Sequence, residues 1–425
     1  MMLTVILSFA RINAQTKGGL RENFRMGSFK PMNSKIFFFS ATLTAIALAA
    51  APALANDYSD GAQTTPIMLA APELSGPLTA NPHPWSFSAG QFGRIYAGGI
   101  ASVMGLSQDN SKANDKNSHL DISNLQGFIQ STGTPLQFYA QVGMYALPAL
   151  GTPYLRASKE TSDTYGLLPV GYLTYVANNN LSLKAGKLPT LLGAENTFSF
   201  QNMNIDRGLL WGQENAINRG IEADYAQGPW TLNMSWNDGF YSNRYTWLTG
   251  RVTYDLGAND VIAFDAGGNM AHTSLSRFET PVAQDNSDIF NLIYTHKAGV
   301  WTFNPSLQYT HVGTYASAGI NHAGASYGAA FRANYKFDDL LNISGRAEYI
   351  STTGNAAEGA PNLLYGAGSK AWSLTLTPTY QVGRIFARAE ASYVHASNTT
   401  AGDAFGNSGN NTSQARMIFE TGVLF

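Results

Sequence analysis

Most of this chain consists of segments in which apolar and polar side chains alternate. In SLTLTPTYQ, residues 373–381, Leu374, Leu376, Pro378 and Tyr380 fall on one face, while serine, threonine and glutamine fall on the other. A period of two residues predicts a β-strand that separates an apolar environment from water. Sixteen such segments can be counted: 93–105, 119–130, 135–146, 166–177, 181–189, 216–227, 229–238, 245–256, 260–271, 287–297, 300–311, 323–337, 341–352, 370–382, 384–396 and 414–425. Most are longer than ordinary soluble strands and are long enough to cross a membrane at a tilt.

The connections between these segments alternate between very short and very long. After every second segment the gap is a tight turn such as ANNN, AQGP or QVGR, whereas the intervening gaps are long and polar, such as HTSLSRFETPVAQDNSD. Outer-membrane barrels have short periplasmic turns and longer external loops. A soluble β-sandwich has no physical reason to sort its connections in this way. The predicted fold is therefore all-β, a transmembrane antiparallel β-barrel of about 16 strands.

Composition agrees with a membrane barrel. Only 13% of the residues are charged, against roughly 25% in ordinary soluble proteins. No window after residue 56 reaches the roughly 18 apolar residues of a membrane helix. Cysteine is absent, so neither a disulfide framework nor a thiolate metal site is available. We expect neither a cofactor nor a metal.

The N-terminal region predicts export. Residues 32–55, MNSKIFFFSATLTAIALAAAPALA, have the basic start, apolar stretch and Ala-Leu-Ala end of a signal peptide. Because this signal is complete by itself, we interpret residues 1–31 as an upstream extension from an early start codon; a long basic n-region is the alternative. Residues 56–92 are proline-rich at first and lack periodicity, which predicts a flexible periplasmic arm. The barrel is expected over residues 93–425.

Charge gives no indication of nucleic-acid binding. Removing residues 1–55 removes six of the 26 Lys and Arg residues and one of the 28 Asp and Glu residues, which leaves 20 against 27. An acidic chain of this kind has no electrostatic attraction for nucleic acid.

The chain ends inside its last predicted strand, MIFETGVLF, with Phe425. In a bilayer every backbone polar group needs an internal partner, so the last strand is expected to pair with the first. A terminal phenylalanine resembles the C-terminal signature that the barrel-insertion machinery reads in outer-membrane barrels. We expect that machinery, outer-membrane lipid and lipopolysaccharide as partners, with localisation in the cell outer membrane of a Gram-negative envelope after export through the periplasm.

One long connection, residues 190–215, differs from the others because it is aromatic and apolar as well as charged. Such a mixture predicts that this third long loop folds into the barrel. It would bring its carboxylates to a pore constriction, opposite inward-facing charges on the strands. The candidate constriction residues are Glu195, Asp206, Arg207, Glu214, Arg346, Glu348, Arg388 and Glu390.

These charges have two possible roles. Opposed charges would create a field that sets pore selectivity, whereas cross-strand ion pairs would stiffen the wall. Arg207 could also pair with its neighbour Asp206. With three carboxylates and one arginine in the loop, we expect a weak preference for cations.

The stretch from Ala185 to Tyr254 carries a family resemblance. AGKLPTLLGAENTFSFQNMNIDRGLLWGQENAINRG, followed by GPWTLNMSWNDGFYSNRYTWLTG, resembles the OmpL-like beta-barrel porins of Gram-negative envelopes. The resemblance implies an outer-membrane barrel with transport as its task, and it assigns no site residues.

The expected function is passive diffusion of small hydrophilic solutes and ions, without enzymatic activity. A homotrimer is expected only by analogy with other sixteen-stranded porins. The alternatives are a non-conducting structural or adhesive barrel and an outer-membrane enzyme. The sequence GASYG, residues 324–328, matches G-x-S-x-G, but it lies in an alternating segment without the following helix that this nucleophile motif requires.

Overall fold

The structure, a computed structural model, describes residues 74–425. The predicted extension 1–31, the signal peptide 32–55 and residues 56–73 of the predicted arm lie outside the described residues. Within residues 74–425, no helix has the length and hydropathy needed to span a bilayer.

The described residues are mostly β-strand. The strands are β1 Trp85–Ser88, β2 Arg94–Gln108, β3 Ser118–Thr132, β4 Leu136–Tyr145, β5 Val170–Val176, β6 Leu181–Pro189, β7 Ile217–Gln227, β8 Trp230–Asn237, β9 Trp247–Gly257, β10 Asp260–Asn269, β11 Ser287–Ala298, β12 Trp301–Val312, β13 Gly324–Lys336, β14 Leu341–Thr352, β15 Lys370–Val382, β16 Ile385–Ser397 and β17 Ser413–Leu424. Two short α-helices, Ala157–Asp163 and Val282–Asp285, lie in long connections. Short 3-10 helices occupy Gly90–Phe92, Ser199–Gln201, Leu210–Gln213, Ala316–Ala318 and Ala356–Glu358.

Strands β2 to β17 close into a barrel. Each pairs antiparallel with its sequence neighbours, and β17 pairs with β2 from Arg416 opposite Gln108 to Leu424 opposite Ile100. The terminal Phe425 extends this seam, because its backbone N–H and carbonyl both bond to Gly99, at 2.9 and 2.7 Å. The prediction of an all-β, sixteen-stranded antiparallel barrel is confirmed, and each of the sixteen predicted segments corresponds to one barrel strand.

The alternation seen in the sequence separates the two faces of the wall. Leu374 and Leu376 are more than half exposed on the outside, whereas Thr375 and Thr377 between them are buried inside. The inward charges Arg332, Arg346, Arg388, Arg416, Glu222, Asp265, Glu348, Glu390 and Glu420 are all buried within the barrel. The outer wall is therefore apolar, as contact with lipid requires.

The two ends of the barrel differ. The end with tight connections, such as residues 177–180 and 383–384, is called the turn end below, and the opposite end, with connections such as 353–369 and 398–412, is called the loop end.

Residues 74–88 pack at the turn end. Leu78 is buried among apolar side chains that include Ile100 and Leu424. The N–H of Gly76 donates to the carbonyl of Gln201 at 3.1 Å, and the backbone of Thr79 exchanges two hydrogen bonds with the Gln381 amide. Strand β1 pairs with the start of β2. The described part of the predicted arm thus differs from a free flexible segment, because it fills space inside the barrel mouth.

Candidate functional site

The connection between β6 and β7, residues 190–216, lies inside the barrel and is called the inner loop below. Its aromatic side chains Phe198 and Phe200 are buried against the wall and against each other. Two 3-10 helices, Ser199–Gln201 and Leu210–Gln213, shorten its path across the lumen. The predicted third loop folded into the lumen is therefore present, and its apolar content is explained by burial.

Glu195 and Arg346 form the centre of the contact between the inner loop and the wall. Arg346 Nη1 on β14 lies 2.6 Å from Glu195 Oε1, and its Nε lies 3.2 Å from Glu348 Oε2 on the same strand. Arg332 on β13 lies 3.6 Å from the second oxygen of Glu195. Burial raises the pKa of the Glu195 carboxyl, but Arg346 and Arg332 more than offset this and hold its pKa below the usual value. Glu195 is therefore a buried carboxylate held between two guanidinium groups.

Asp206 pairs with β17 rather than with its sequence neighbour. Arg416 Nη1 lies 3.1 Å from Asp206 Oδ2. Arg207 instead donates to two backbone carbonyls, those of Thr197 and, at 2.7 Å, Pro148. Arg207 and Asp206 do not form the ion pair that the sequence left open, because the Asp206 carboxylate binds Arg416 and the Arg207 guanidinium binds the two carbonyls. Arg207 thereby ties the inner loop to the preceding long connection.

Arg388 and Glu390 on β16 bind inner-loop backbone. Arg388 donates to the carbonyls of Ser199 and Asn202, both at 3.0 Å. Glu390 accepts from the N–H groups of Ile205, at 2.5 Å, and Asp206, at 2.9 Å. Buried backbone groups outside regular structure need hydrogen-bond partners. Arg388 and Glu390 supply those partners to the inner loop, as a paired strand does in a sheet.

Gly208 is required where the inner loop meets β14. A Cβ atom at this position would lie 2.0 Å from Glu348 Oε1. Glu348 also accepts from the N–H of Leu209, at 3.0 Å. The carboxylate therefore approaches the loop backbone directly, and only glycine leaves room for it.

The inner loop also contacts the opposite wall. Gly193 donates to Asp265 at 3.2 Å and accepts from Arg251 at 2.7 Å. Glu214 accepts from the Gln308 amide at 2.7 Å. Burial and the neighbouring Asp265 raise the pKa of the Glu214 carboxyl well above its usual value. The inner loop is thus held from β9, β10 and β12 as well as from β13, β14, β16 and β17.

Seven of the eight predicted constriction residues bind the inner loop to its surroundings and are buried, whereas Glu214 lines a cavity. The loop carboxylates Glu195 and Asp206 contact wall arginines directly. Arg332 and Arg416 are not among the candidate residues, although they bind the two loop carboxylates. Only the register of the closed sheet shows which inward-facing charges meet the loop.

Two cavities lie inside the barrel. One, of about 510 Å³, is lined by the loop-end connections and by inner-loop residues 208–216, and it is called the loop-end cavity. The other, of about 420 Å³, is lined by β4 to β9 and by inner-loop residues 190–201, and it is called the turn-end cavity. They share no lining residue, and each is in the size range of sites that hold small molecules.

Charges line both cavities. The loop-end cavity has the carboxylate residues Glu160, Glu214 and Glu279 and one lysine, Lys112. The turn-end cavity is lined by Lys184, Arg251 and Glu222 together with hydroxyl and amide side chains. Among the described residues, no group of three or more His, Cys, Asp or Glu side chains is placed to hold a metal ion.

Glu160 is the titratable group of the loop-end cavity that sequence reasoning missed. It belongs to the helix Ala157–Asp163, which packs against β3 and β4. Burial raises its pKa to about 7, although the Arg207 guanidinium opposes the shift. A single glutamate in a long polar connection gave no signal of this burial.

Comparison with known proteins relates the chain to porins. Residues 95–425 match the model of the family described as "Putative beta-barrel porin-2, OmpL-like". A search of curated proteins gives no match. Among solved structures, OmpT of Vibrio cholerae matches with a TM-score of 0.53 and 12% identity over 79% of this chain and 99% of that one. Salmonella typhi OmpF, in a complex with daunomycin, matches with a TM-score of 0.52 and 11% identity over 80% and 100%. At this identity the structural matches establish the fold alone.

Proposed function

Because this chain belongs to the beta-barrel porin-2, OmpL-like family, a family of outer-membrane porin barrels, we propose that it allows passive diffusion of small hydrophilic solutes and ions. The observation that carries the proposal is the pair of cavities on different parts of the inner loop, each with charged side chains in its lining, within a closed sixteen-stranded wall. Barrels of this strand number are wide enough to hold an aqueous channel.

In this proposal the inner loop forms the constriction. Its carboxylates and the wall arginines hold it in place, and the charges of the two cavities act on passing ions. Glu195, Asp206, Arg207, Arg346, Glu348, Arg388 and Glu390 are then positioning residues, because they are buried in mutual contacts. The titratable side chains that line the two cavities are placed to select solutes: Lys112, Glu160, Glu214 and Glu279 in the loop-end cavity, and Lys184, Glu222 and Arg251 in the turn-end cavity.

A non-conducting structural barrel is the second candidate. The observation in its favour is the packed middle of the lumen, where Asp206, Arg207, Arg388 and Glu420 are almost completely buried. An enzyme has less support. Ser326 of the G-x-S-x-G match lies within β13, and its hydroxyl makes no hydrogen bond within the described residues, whereas a catalytic serine needs a neighbouring base.

Conductance of the purified protein in planar lipid bilayers distinguishes the two candidates. We expect stepwise single-channel currents that are the same size from one insertion to the next, because the wall fixes the dimensions of the pore. Protein boiled in detergent serves as the control. Folded, inserted barrels that give no current steps would contradict the porin proposal and favour the structural barrel.

The cation preference of the pore is expected to rise with pH around neutrality. Since the pKa of Glu160 is raised to about 7, this side chain is neutral at pH 6 and negative at pH 8, so the loop-end cavity gains a negative charge across that range. Reversal potentials in a KCl gradient at pH 6, 7 and 8 measure the effect. Glu160→Gln should reduce the pH-dependent part, and Glu214, whose pKa is also raised in this cavity, would account for a remainder.

The matched control is Glu358→Gln. Glu358 is an exposed glutamate on the connection 353–369 and does not line the cavity. It should leave the pH dependence unchanged, whereas an equal loss in both variants would show that Glu160 has no special role.

A further inference from the structure

A groove on the outer surface of the barrel combines apolar walls with positive charge. It measures about 700 Å³ and is lined by Leu168, Gly171, Gly186, Lys187, Arg219, Gly220, Ile221, Trp236 and Tyr245. Ile221 and Trp236 are more than half exposed on the lipid-facing side of the wall. Below, this surface is called the outer groove.

The groove is deep because Gly171, which has no side chain, lies beside the long side chains of Lys187 and Arg219. Gly171 on β5, Lys187 on β6 and Arg219 on β7 are consecutive cross-strand partners and therefore project from the same face of the sheet. They share that face with Leu183 and Ile221, which are exposed to lipid. Lys187 and Arg219 both lie near the loop end of their strands, at the level of the outer leaflet.

Two cations in direct register repel each other unless an anion lies nearby. Asp238 compensates Arg219, with its Oδ2 2.7 Å from the guanidinium. The Lys187 ammonium donates to the carbonyls of Tyr165 and Leu168, both at 3.0 Å, and has no carboxylate within ion-pair distance among the described residues. The outer groove therefore keeps a net positive charge on a surface in contact with lipid.

The Tyr241 ring contacts both cations of the groove, 5.4 Å from Lys187 Nζ and 3.9 Å from Arg219 Cζ. These cations lie on the loop-end side of the groove, and the exposed apolar side chains Ile221 and Trp236 line the rest of it.

We propose that the outer groove binds a phosphorylated, acylated glycolipid of the outer leaflet, the lipid A part of lipopolysaccharide. Its phosphate would lie against Lys187 and Arg219, the two cations that line the groove, and an acyl chain would lie along Gly171, Ile221 and Trp236. Charge complementarity selects a phosphate headgroup over a zwitterionic one, since the groove has an uncompensated cation and an apolar wall facing the bilayer. The site requires only that the barrel lies in the outer membrane, so it does not depend on conduction.

Binding of defined lipids to the delipidated full chain in detergent micelles tests the proposal. The probes are bis-phosphorylated lipid A, chemically dephosphorylated lipid A and phosphatidylethanolamine, and native mass spectrometry counts the bound molecules. Since the phosphate adds a charge-assisted hydrogen bond that the dephosphorylated form lacks, we expect phosphorylated lipid A to bind about tenfold or more tightly. If the wild-type protein binds phosphorylated and dephosphorylated lipid A equally, the proposal is wrong.

Variants locate the site. Lys187→Gln should reduce binding of phosphorylated lipid A, while Lys370→Gln, which removes an exposed cation at the loop end of β15, should not. Lipid A with brominated acyl chains should quench tryptophan fluorescence in the wild type, and Trp236→Phe should remove most of that quenching. If Lys370→Gln weakens binding as much as Lys187→Gln, the contact is general surface attraction. If the groove is instead covered by a second copy, oligomers without lipid will be detected, and the proposed site is wrong.

Discussion

Replacing Arg346 by alanine is expected to destabilise the protein by about 3–5 kcal/mol, since removal of one partner from a buried ion pair leaves an uncompensated charge. Arg346 lies between Glu195 and Glu348, and it also donates to the carbonyl of Asp206 at 2.7 Å. Glu195 would retain only Arg332, at 3.6 Å. The inner loop should then detach from β14, and residues 190–216 should become accessible to protease.

Unfolding in urea from lipid vesicles measures the stability, and limited proteolysis of the folded barrel measures release of the loop. Arg346→Lys is the matched control, because it keeps the charge and loses only the second hydrogen-bonding arm, so its effect should be smaller. Arg346→Met combined with Glu348→Gln should recover part of the loss, since Glu195 then keeps its ion pair with Arg332 and no charged carboxylate remains at position 348. A loss below about 1 kcal/mol in Arg346→Ala, with the inner loop still protected, would show that this ion-pair network does not hold the loop.

Removing the inner loop is expected to raise single-channel conductance severalfold, because a barrel of this strand number encloses an aqueous channel once nothing crosses it. Pro189 and Ile217 are directly paired across β6 and β7. A four-residue Gly/Asn turn can therefore replace residues 190–216 and leave the register of the wall unchanged. The deleted segment carries Glu195, Asp206, Glu214 and Arg207, a net loss of two negative charges, so the reversal potential in a salt gradient should also shift toward anions.

Shortening a connection that lines neither cavity is the control for this deletion. Residues 313–323 join β12 to β13 at the loop end and line neither cavity, so replacing part of them should change conductance much less. Conductance that is equal in the inner-loop deletion and the wild type would mean that the loop does not narrow the pore. Loss of the folded barrel in both variants would instead show a general need for long connections, which gel mobility before and after heating can detect.

Sequence alone determined the wall of this protein. The two-residue period in segments such as 373–381 identifies each strand and its lipid-facing side, because one face of every strand must contact hydrocarbon and the other must not. The alternation of short and long connections determines the antiparallel order, and the lack of free edges in a bilayer requires closure at Phe425. These are local or general constraints, so they can be read without knowing any distance.

Sequence also indicated that residues 190–215 fold inward. Exposed loops are mainly polar, whereas this segment contains the apolar and aromatic side chains that are typical of a buried loop. It could not tell which wall residues bind the loop. Many strand charges are predicted to face inward, and only the stagger of the closed sheet brings Arg416 to Asp206 and Arg346 to Glu195. Local alternation carries no information about that stagger.

Tertiary structure alone decided the contacts between segments far apart in the chain. Leu78 lies in a region without periodicity, yet it packs against Ile100 and Leu424 at the seam. Glu160 acquires a pKa of about 7 because burial removes its water, and Lys187 lies opposite Arg219 because β6 and β7 pair in that register. The period of a strand depends on its own residues, whereas burial and charge pairing depend on which other segments come within a few ångströms, and this depends on how the whole barrel closes.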